Sequence, residues 1–387
     1  MQTFRKSSTG TTIAAFCLAS LAFLNPGGLA KADDTTGLDL TLIENQVIWD
    51  HASSNAFTDL ISFQNQYFCA FREGTSHASE EGSIRIMASP DCRTWTSVAQ
   101  INSTNNLDLR DPKFSITPAG QLMLTSAERN TTPRNYQSMV WFSNDGTQWG
   151  GGQNIGDPNK WLWRTTWHDG VCYSVGYDTN HTQSPTLYAS TNGLEWTPTV
   201  PALVPPTNNP GETSLVFGDD GTAYALLRRD AGDYSALLGT ATAAGNYTDW
   251  TWQNLGVRIG GPDMLMLPDG RLIAGVRLLD GVTRTSLCLV DPANGTLTEA
   301  LTLPSGGDTG YPGMVLDGDR LWVSYYSTPS DGKSRIYLAE VKINSIPEPA
   351  MATMLASGCI VLLALLRLRY RGRHRAGYEI TRDSRAV

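Results

Sequence analysis

Residues 143–149 read SNDGTQW, and the pattern returns at 89–95 as SPDCRTW and at 190–196 as STNGLEW. Each stretch has Ser, then Asp or Asn two residues later, then Trp four beyond that. The physics is local: a short polar side chain bonds the turn backbone, and the indole packs beneath the turn. A weaker echo, NYTDWTW, ends at Trp252. A second series of turns alternates with the first: FQNQY around Asn65, TPAGQL at Gly120, WHDGVC at Gly170, GDDGTA at Gly221, LPDGRL at Gly270 and LDGDRL at Gly318. Neighbours in this series lie about 50 residues apart. Each sits between two apolar, β-rich runs, such as MLMLPDGRLIAGV at 264–276. No stretch carries a helical period long enough to compete. About 50 residues suits one four-stranded blade, so the repeats predict an all-β, six-bladed β-propeller over residues 33–345.

Composition agrees with short strands and many tight turns. Charged residues make up 17% of the 387, while Gly (37), Trp (11) and Tyr (14) are plentiful. A formal charge of −8 excludes a nucleic-acid surface. Cys69, Cys92, Cys172 and Cys288 are widely spaced, with no CxxC and no Cys/His cluster. They read as small buried hydrophobes, so neither a disulfide framework nor a zinc site is expected. No metal-ligand motif occurs, and no cofactor is expected.

Both ends read as addresses. Arg5 and Lys6 precede an apolar run from Ile13 to Leu24, and Ala30-Lys31-Ala32 offers small residues for a signal peptidase. Residues 1–32 are therefore expected to be a signal peptide. Pro347-Glu348-Pro349 leads into an apolar stretch from Ala350 to Leu366, and Arg367, Arg369, Arg371, Arg373 and Arg375 follow. That order predicts one C-terminal transmembrane helix over 350–366, a basic cluster at 367–375 and a tail at 377–387. Segment 346–376 resembles the PEP-CTERM sorting signal of bacteria with a cell envelope. The resemblance implies recognition by an exosortase-type enzyme and delivery of an exported protein to the envelope or cell surface. A plain single-span anchor is the alternative.

The turns and the repeat length together resemble the sialidase superfamily over nearly all of 45–340. In that superfamily three arginines hold the substrate carboxylate, a Tyr helped by a Glu attacks the anomeric carbon, and a first-blade Asp serves as acid and base. A guanidinium suits a carboxylate because its planar fork donates two parallel hydrogen bonds. In GETSLVFGDDGTAYALLRRD (211–230), Glu212 opens one strand and Arg228 closes the next, as the superfamily's Glu and second arginine do. Arg284 begins a strand where the third arginine is placed, and Tyr311 precedes one where the nucleophile is placed. The resemblance thus implies Tyr311 as nucleophile, Glu212 as its activator, and Arg228 and Arg284 as clamps.

The first blade departs from the pattern. Where the superfamily has Phe-Arg-Ile-Pro, this chain has NAFTDLISF, with no Arg or Lys between Asp33 and Phe71. The loop in CAFREGTSHASEEGSIRI (69–86) holds His77 but no Asp. His77 is placed to act as acid and base, because imidazole titrates near working pH. Arg72 and Arg110, with Asp111 in NLDLRDPKFSI (106–116), are placed to complete an anion pocket. Trp161, Trp163 and Arg164 suggest an aromatic wall carrying a charge.

These residues predict an exported exo-glycoside hydrolase acting on an acidic, sialic-acid-like sugar. Two other readings stay open: a carbohydrate-binding propeller without turnover, and an envelope protein with no ligand.

Overall fold

The computed structural model describes residues 37–344. The signal peptide, transmembrane helix and sorting segment read from the sequence lie outside the described residues.

The described strands form six four-stranded antiparallel blades, two of them joined by the single parallel pair Gly82↔Asp108. In chain order the innermost strands are Ser54–Phe63, Asp108–Ile116, Lys160–His168, Pro210–Phe217, Ile259–Met266 and Thr309–Asp317. The turns at Asn65, Gly120, Gly170, Gly221, Gly270 and Gly318 join each innermost strand to the next one out. Blade 6 has only three strands of its own, and Leu40–Trp49 completes it by pairing with Arg335–Ile343. The ring is thus closed by a strand from the opposite end of the domain.

The Ser-containing turns join the third strand of a blade to the fourth. Asp145 Oδ1 accepts the Thr147 and Gln148 amides at 2.8 Å each, and Trp149 Nε1 donates to the Gly146 carbonyl at 3.1 Å. Asp91 and Asn192 make the same two backbone bonds. In the fourth blade the indole bonded to its own turn is Trp250, which donates to Tyr247 at 2.8 Å, rather than the expected Trp252.

Apolar side chains fill the gaps between neighbouring blades. Phe63, Phe68, Ile86, Phe114 and Leu124 pack blade 1 on blade 2, and Ile273, Leu287, Met314 and Val323 pack blade 5 on blade 6. Each such side chain, once fully buried, contributes about 1.5–3 kcal/mol. Cys69, Cys92, Cys172 and Cys288 are free and buried.

Blades 6 and 1 approach backbone to backbone at Gly313, where a Cβ would lie 2.2 Å from the Leu60 nitrogen and 2.6 Å from Asp59 backbone atoms. Backbone cannot yield as a side-chain tip does. Gly313→Ala is therefore expected to cost about 3 kcal/mol or more, read as a lower urea midpoint.

Charge also runs through the middle of the ring. Arg164 NH1 lies 3.0 Å from Asp59 Oδ1 and 3.2 Å from Asp263 Oδ1, tying blade 3 to blades 1 and 5. Lys113 Nζ donates to the Thr58 carbonyl at 2.7 Å and sits 4.9 Å from the Trp163 ring centre. All four charged groups are buried. Burial pushes the Lys113 ammonium down to about 8 and the Asp263 carboxyl up to about 6. Arg164 therefore belongs to the central axis and not to an aromatic wall.

Candidate active site

Every innermost strand slips register against its neighbour at the same height. The slips fall between Ala56 and Asp59, Arg110 and Lys113, Leu162 and Thr165, Pro210 and Thr213, Gly260 and Asp263, and Gly310 and Gly313. A bulge frees residues from the ladder and re-aims them. The freed residues include Phe57, Asp111, Trp163, Glu212, Gly261 and Tyr311, one from each blade. Phe57, Asp111 and Tyr311 hold left-handed φ values of 60°, 48° and 52°. Such backbone is costly for side chains of this size and concentrates at functional sites. Gly261 has φ 55°, and a Cβ there would meet the Tyr311 ring at 2.6 Å, so only glycine fits.

Tyr311 and Glu212 stand at the centre. The Tyr311 hydroxyl donates to Glu212 Oε1 at 2.6 Å and accepts from Arg228 NH1 at 2.9 Å. Glu212 Oε2 accepts from Arg228 NH1 and from the Gly261 amide, both at 2.8 Å. Burial pushes the Glu212 carboxyl up, but Arg228 and these hydrogen bonds outweigh it and hold the group below its ordinary value. For Tyr311, burial and the neighbouring Glu212 charge push the phenol up despite Arg228 and Arg277. The hairpin turn at Gly221 is what brings Glu212 and Arg228 to the same end of one blade.

Asp111 behaves in the opposite way to Glu212. It is 4% exposed, and its Oδ1 is buried with no hydrogen-bond partner. Burial raises its carboxyl to about 6; the Glu212 charge adds to the rise, while Arg110 opposes it. The site therefore holds one carboxyl biased toward ionisation and one biased toward retaining its proton.

The remaining sequence candidates divide. Arg110 lies 4.7 Å from the Phe57 ring centre, bonded to Asp108 and to the His77 carbonyl at 3.0 Å each. His77 Nδ1 lies 2.7 Å from Asp308 Oδ2, and its ring meets Phe57 at 5.1 Å. Arg72 does not clamp a substrate: it is fully buried, binds Asp108 at 2.6 Å, and donates to Ser76, Ser79 and Glu81. It fastens the loop that carries His77. Arg284 does not join the site either, because Asp280 and Glu299 take its guanidinium at 2.6 and 2.7 Å.

Arg277 occupies the place that the sequence reading gave to Arg284. Its guanidinium lies 5.1 Å from the Tyr311 ring centre and donates to Asp308 at 2.9 Å and to the Tyr326 hydroxyl at 2.5 Å. A signal for it exists: LLRR in blade 4 and GVRL in blade 5 put an arginine next to last in equivalent strands.

A cleft of about 210 Å³ opens on Glu212, Arg228, Asp230 and Tyr311. Its wall is a stack in which Trp161 lies 5.3 Å from Tyr136 and 5.8 Å from Tyr177. Trp163 is instead buried behind Tyr311 at 6.1 Å. Three guanidiniums here carry carboxylates already: Arg110 with Asp108, Arg228 with Glu212 and Asp230, Arg277 with Asp308. Arg134, which also lines the cleft, lies 5.7 Å from the Tyr136 ring centre and pairs with no carboxylate among the described residues. The positive charge of Arg110, Arg228 and Arg277 is thus largely consumed within the protein.

Several solved structures share this architecture. A protein of unknown function from Dyadobacter fermentans superposes with a TM-score of 0.70 at 21% identity, over 79% of this chain and 99% of that one. Penicillium chrysogenum α-L-arabinanase, solved with arabinobiose, gives 0.62 at 16% identity, over 79% and 99%. Trypanosoma rangeli sialidase gives 0.56 at 11% identity, over 75% and 55%. At these identities the likeness shows the fold alone, a β-propeller. No protein-family model matches the chain, and no curated protein matches it in sequence.

Proposed function

We propose that this chain is a glycoside hydrolase working with two carboxyl groups, Asp111 as proton donor and Glu212 as the ionised partner. The opposite bias of these two buried groups, near enough that the Glu212 charge raises Asp111, carries the reading. Environments that push two carboxyls apart assign the acid and the base in glycosidases. Protonated Asp111 gives its proton to the leaving oxygen as the glycosidic bond breaks. Ionised Glu212 meets the positive charge developing at the anomeric carbon, and Tyr311, Arg228 and the Gly261 amide hold it in place. Water then adds to that carbon and gives its proton to the Asp111 carboxylate, which completes hydrolysis and restores the acid. The aromatic stack offers a flat apolar face to a sugar ring. Because Arg110, Arg228 and Arg277 are already paired and only Arg134 at the cleft is not, a neutral sugar fits better than an acidic one. An arabinanase and a sialidase among the structural neighbours are in keeping with glycoside chemistry.

One observation favours a second reading, with Tyr311 as nucleophile on an acidic sugar held by Arg228 and Arg277. The Tyr311 hydroxyl touches both Glu212 and Arg228. Against it, the raised Tyr311 phenol resists the ionisation that attack requires. His77, paired with Asp308, is the acid–base group in that reading.

The test is release of aglycone from aryl glycosides of an arabinofuranose, neutral hexoses, a uronic acid and a sialic acid. Turnover of a neutral glycoside is expected. Tyr311→Phe, which costs Glu212 one hydrogen bond, is expected to lower it by about 10–100-fold. Abolition of turnover in that variant, with an acidic glycoside as substrate, selects the second reading. Silence from every glycoside beside retained sugar binding selects a non-catalytic propeller.

The terminal segments support a proposal about place: export, then sorting to the cell envelope by an exosortase-type enzyme.

A further inference from the structure

The cleft at Tyr311 is not the only cavity among the described residues. A groove of about 560 Å³ lies over blade 1, lined by Trp49, His51, Arg85, Gln100, Asn102 and Asn106 among others. From these features we infer that it is an accessory site for a segment of neutral, hydroxyl-rich glycan, on the same face as the catalytic cleft.

The strand register fixes that face. Ser54 pairs with Gly74, Gly74 with Gly82, and Gly82 with Asp108, so 49–54, 74–82 and 100–108 gather at one end of blade 1. Asp111, Glu212 and Tyr311 lie near the corresponding ends of their own strands. Loop 74–82 is the partition. Thr75 and Glu81 line the groove, while His77 reaches Asp308 and Phe57 on the cleft side.

The lining has the chemistry that a neutral sugar chain needs. Trp49 is fixed in place: its Nε1 donates to Glu73 at 2.7 Å, and the Arg85 guanidinium lies 5.2 Å from its ring centre. With His51, edge to face at 4.4 Å, it forms an aromatic corner. A rigid aromatic gives contact area at little entropic cost. Around it stand amides with capacity to spare. Asn102 and Asn106 are exposed, and their side chains make no hydrogen bond within the protein. Gln100 spends only its NH2 group, on Ser83 at 2.8 Å. A carboxamide carries donors and an acceptor side by side, which matches vicinal hydroxyls.

Charge selects against an acidic chain. Arg85 is consumed by Glu73 at 2.8 Å, and Glu81 adds a further negative charge to the lining. A uronate or sulfate would meet net repulsion with no free cation.

The site rests on the hydrolase reading only for its role as a holder of polymer beside the cleft; the binding itself is tested separately. Affinity electrophoresis of the full chain through gels containing arabinan, xylan or galactomannan is the measurement, with polygalacturonate as the acidic control. Retardation by a neutral polymer is expected in the parent and equally in Asp111→Asn. In Trp49→Ala and in the double variant Asn102→Ala/Asn106→Gly, glycine being chosen because Asn106 holds a left-handed φ of 57°, binding is expected to weaken about tenfold. Turnover of small aryl glycosides stays within about twofold of the parent in the double variant, whose lost side chains are exposed and make no hydrogen bond within the protein. Three results overturn the site: no retardation by a neutral polymer, retardation unchanged in both variants, or retardation by polygalacturonate alone. Absence of aryl-glycoside turnover with retardation intact would fell the hydrolase reading and leave the groove standing.

Discussion

Asp111→Asn is expected to lower kcat/KM by about 10²–10⁴-fold while making the protein more stable at pH 7. The first half follows from removing the proton donor. The loss should be largest for a glycoside with a poor leaving group, which depends most on protonation, and smaller for a nitrophenyl glycoside. The second half follows from the sign of the pKa shift. Asp111 titrates at about 6 in the folded chain and at about 3.9 when unfolded. Between those values the folded chain holds more protons than the unfolded one, so stability falls as pH rises. The protonated group's favourable share is complete below about pH 4 and is lost as pH rises through about 6. Asparagine removes the buried charge and tolerates the φ of 48° found there. Melting curves should therefore place the variant above the parent at pH 7 and level with it at pH 4. The pH–rate profile of the parent should decline above about pH 6, and residual activity in Asp111→Asn should lack that limb. An unchanged alkaline limb would remove Asp111 from the role. Glu212→Gln gives the contrast: activity is lost, and stability at pH 7 falls, because Arg228 loses a buried partner.

The architecture was legible because it repeats. Turn signals such as LPDGRL and polar–Trp turns such as SNDGTQW act over a few residues, and six copies averaged away local ambiguity. The strand that closes the ring was hidden, since Leu40–Trp49 has no hairpin partner in sequence and pairs only with Arg335–Ile343. Within the site, Glu212 and Arg228 could be placed together because one hairpin joins them. Tyr311 was reached through the family resemblance alone, for 99 residues separate it from Glu212.

What the sequence hid follows from the same locality. Arg284 and Arg277 stand on neighbouring strands of one blade, and which of them enters the site depends on register and on competing carboxylates. Glu299, in the next strand out, captures Arg284. Arg72 looked like a free cation because Asp108, its buried partner, lies 36 residues away. The positions of Phe57, Asp111 and Tyr311 depend on a bulge at the same height in every innermost strand, and no residue type spells that bulge. The charges on the axis were equally invisible, because Asp59, Lys113, Arg164 and Asp263 come from four blades.

Those axial charges underlie the largest expected loss of stability. Arg164→Met should lower the unfolding free energy by about 3–5 kcal/mol, measured in urea so that added salt does not screen the effect. The guanidinium lies between two buried carboxylates at 3.0 and 3.2 Å, and Met leaves both without it. Neither carboxylate can turn toward water, since Asp59 Oδ2 accepts the Phe114 amide at 2.6 Å and Asp263 Oδ2 accepts the Met314 amide at 3.0 Å. Lys113 can offset one of them, not both. Without Arg164 the Asp263 carboxyl is pushed further above its unfolded value, so the deficit should shrink as pH falls and it takes up a proton. The second step of the argument is a cycle. Asp263→Asn alone leaves Arg164 and Lys113 facing a single carboxylate and should also destabilise. Combined with Arg164→Met it leaves one carboxylate, Asp59, and one ammonium, Lys113, which balance. The double variant should therefore be more stable than the sum of the single losses by more than about 1 kcal/mol. Simple addition of the two losses would mean that the groups do not compensate one another, and the axis would then be held by packing rather than by charge. Because Met314 follows Tyr311 on the same strand, the cycle also reports on the site: the single variants should lose turnover with stability, and the double variant should recover part of both.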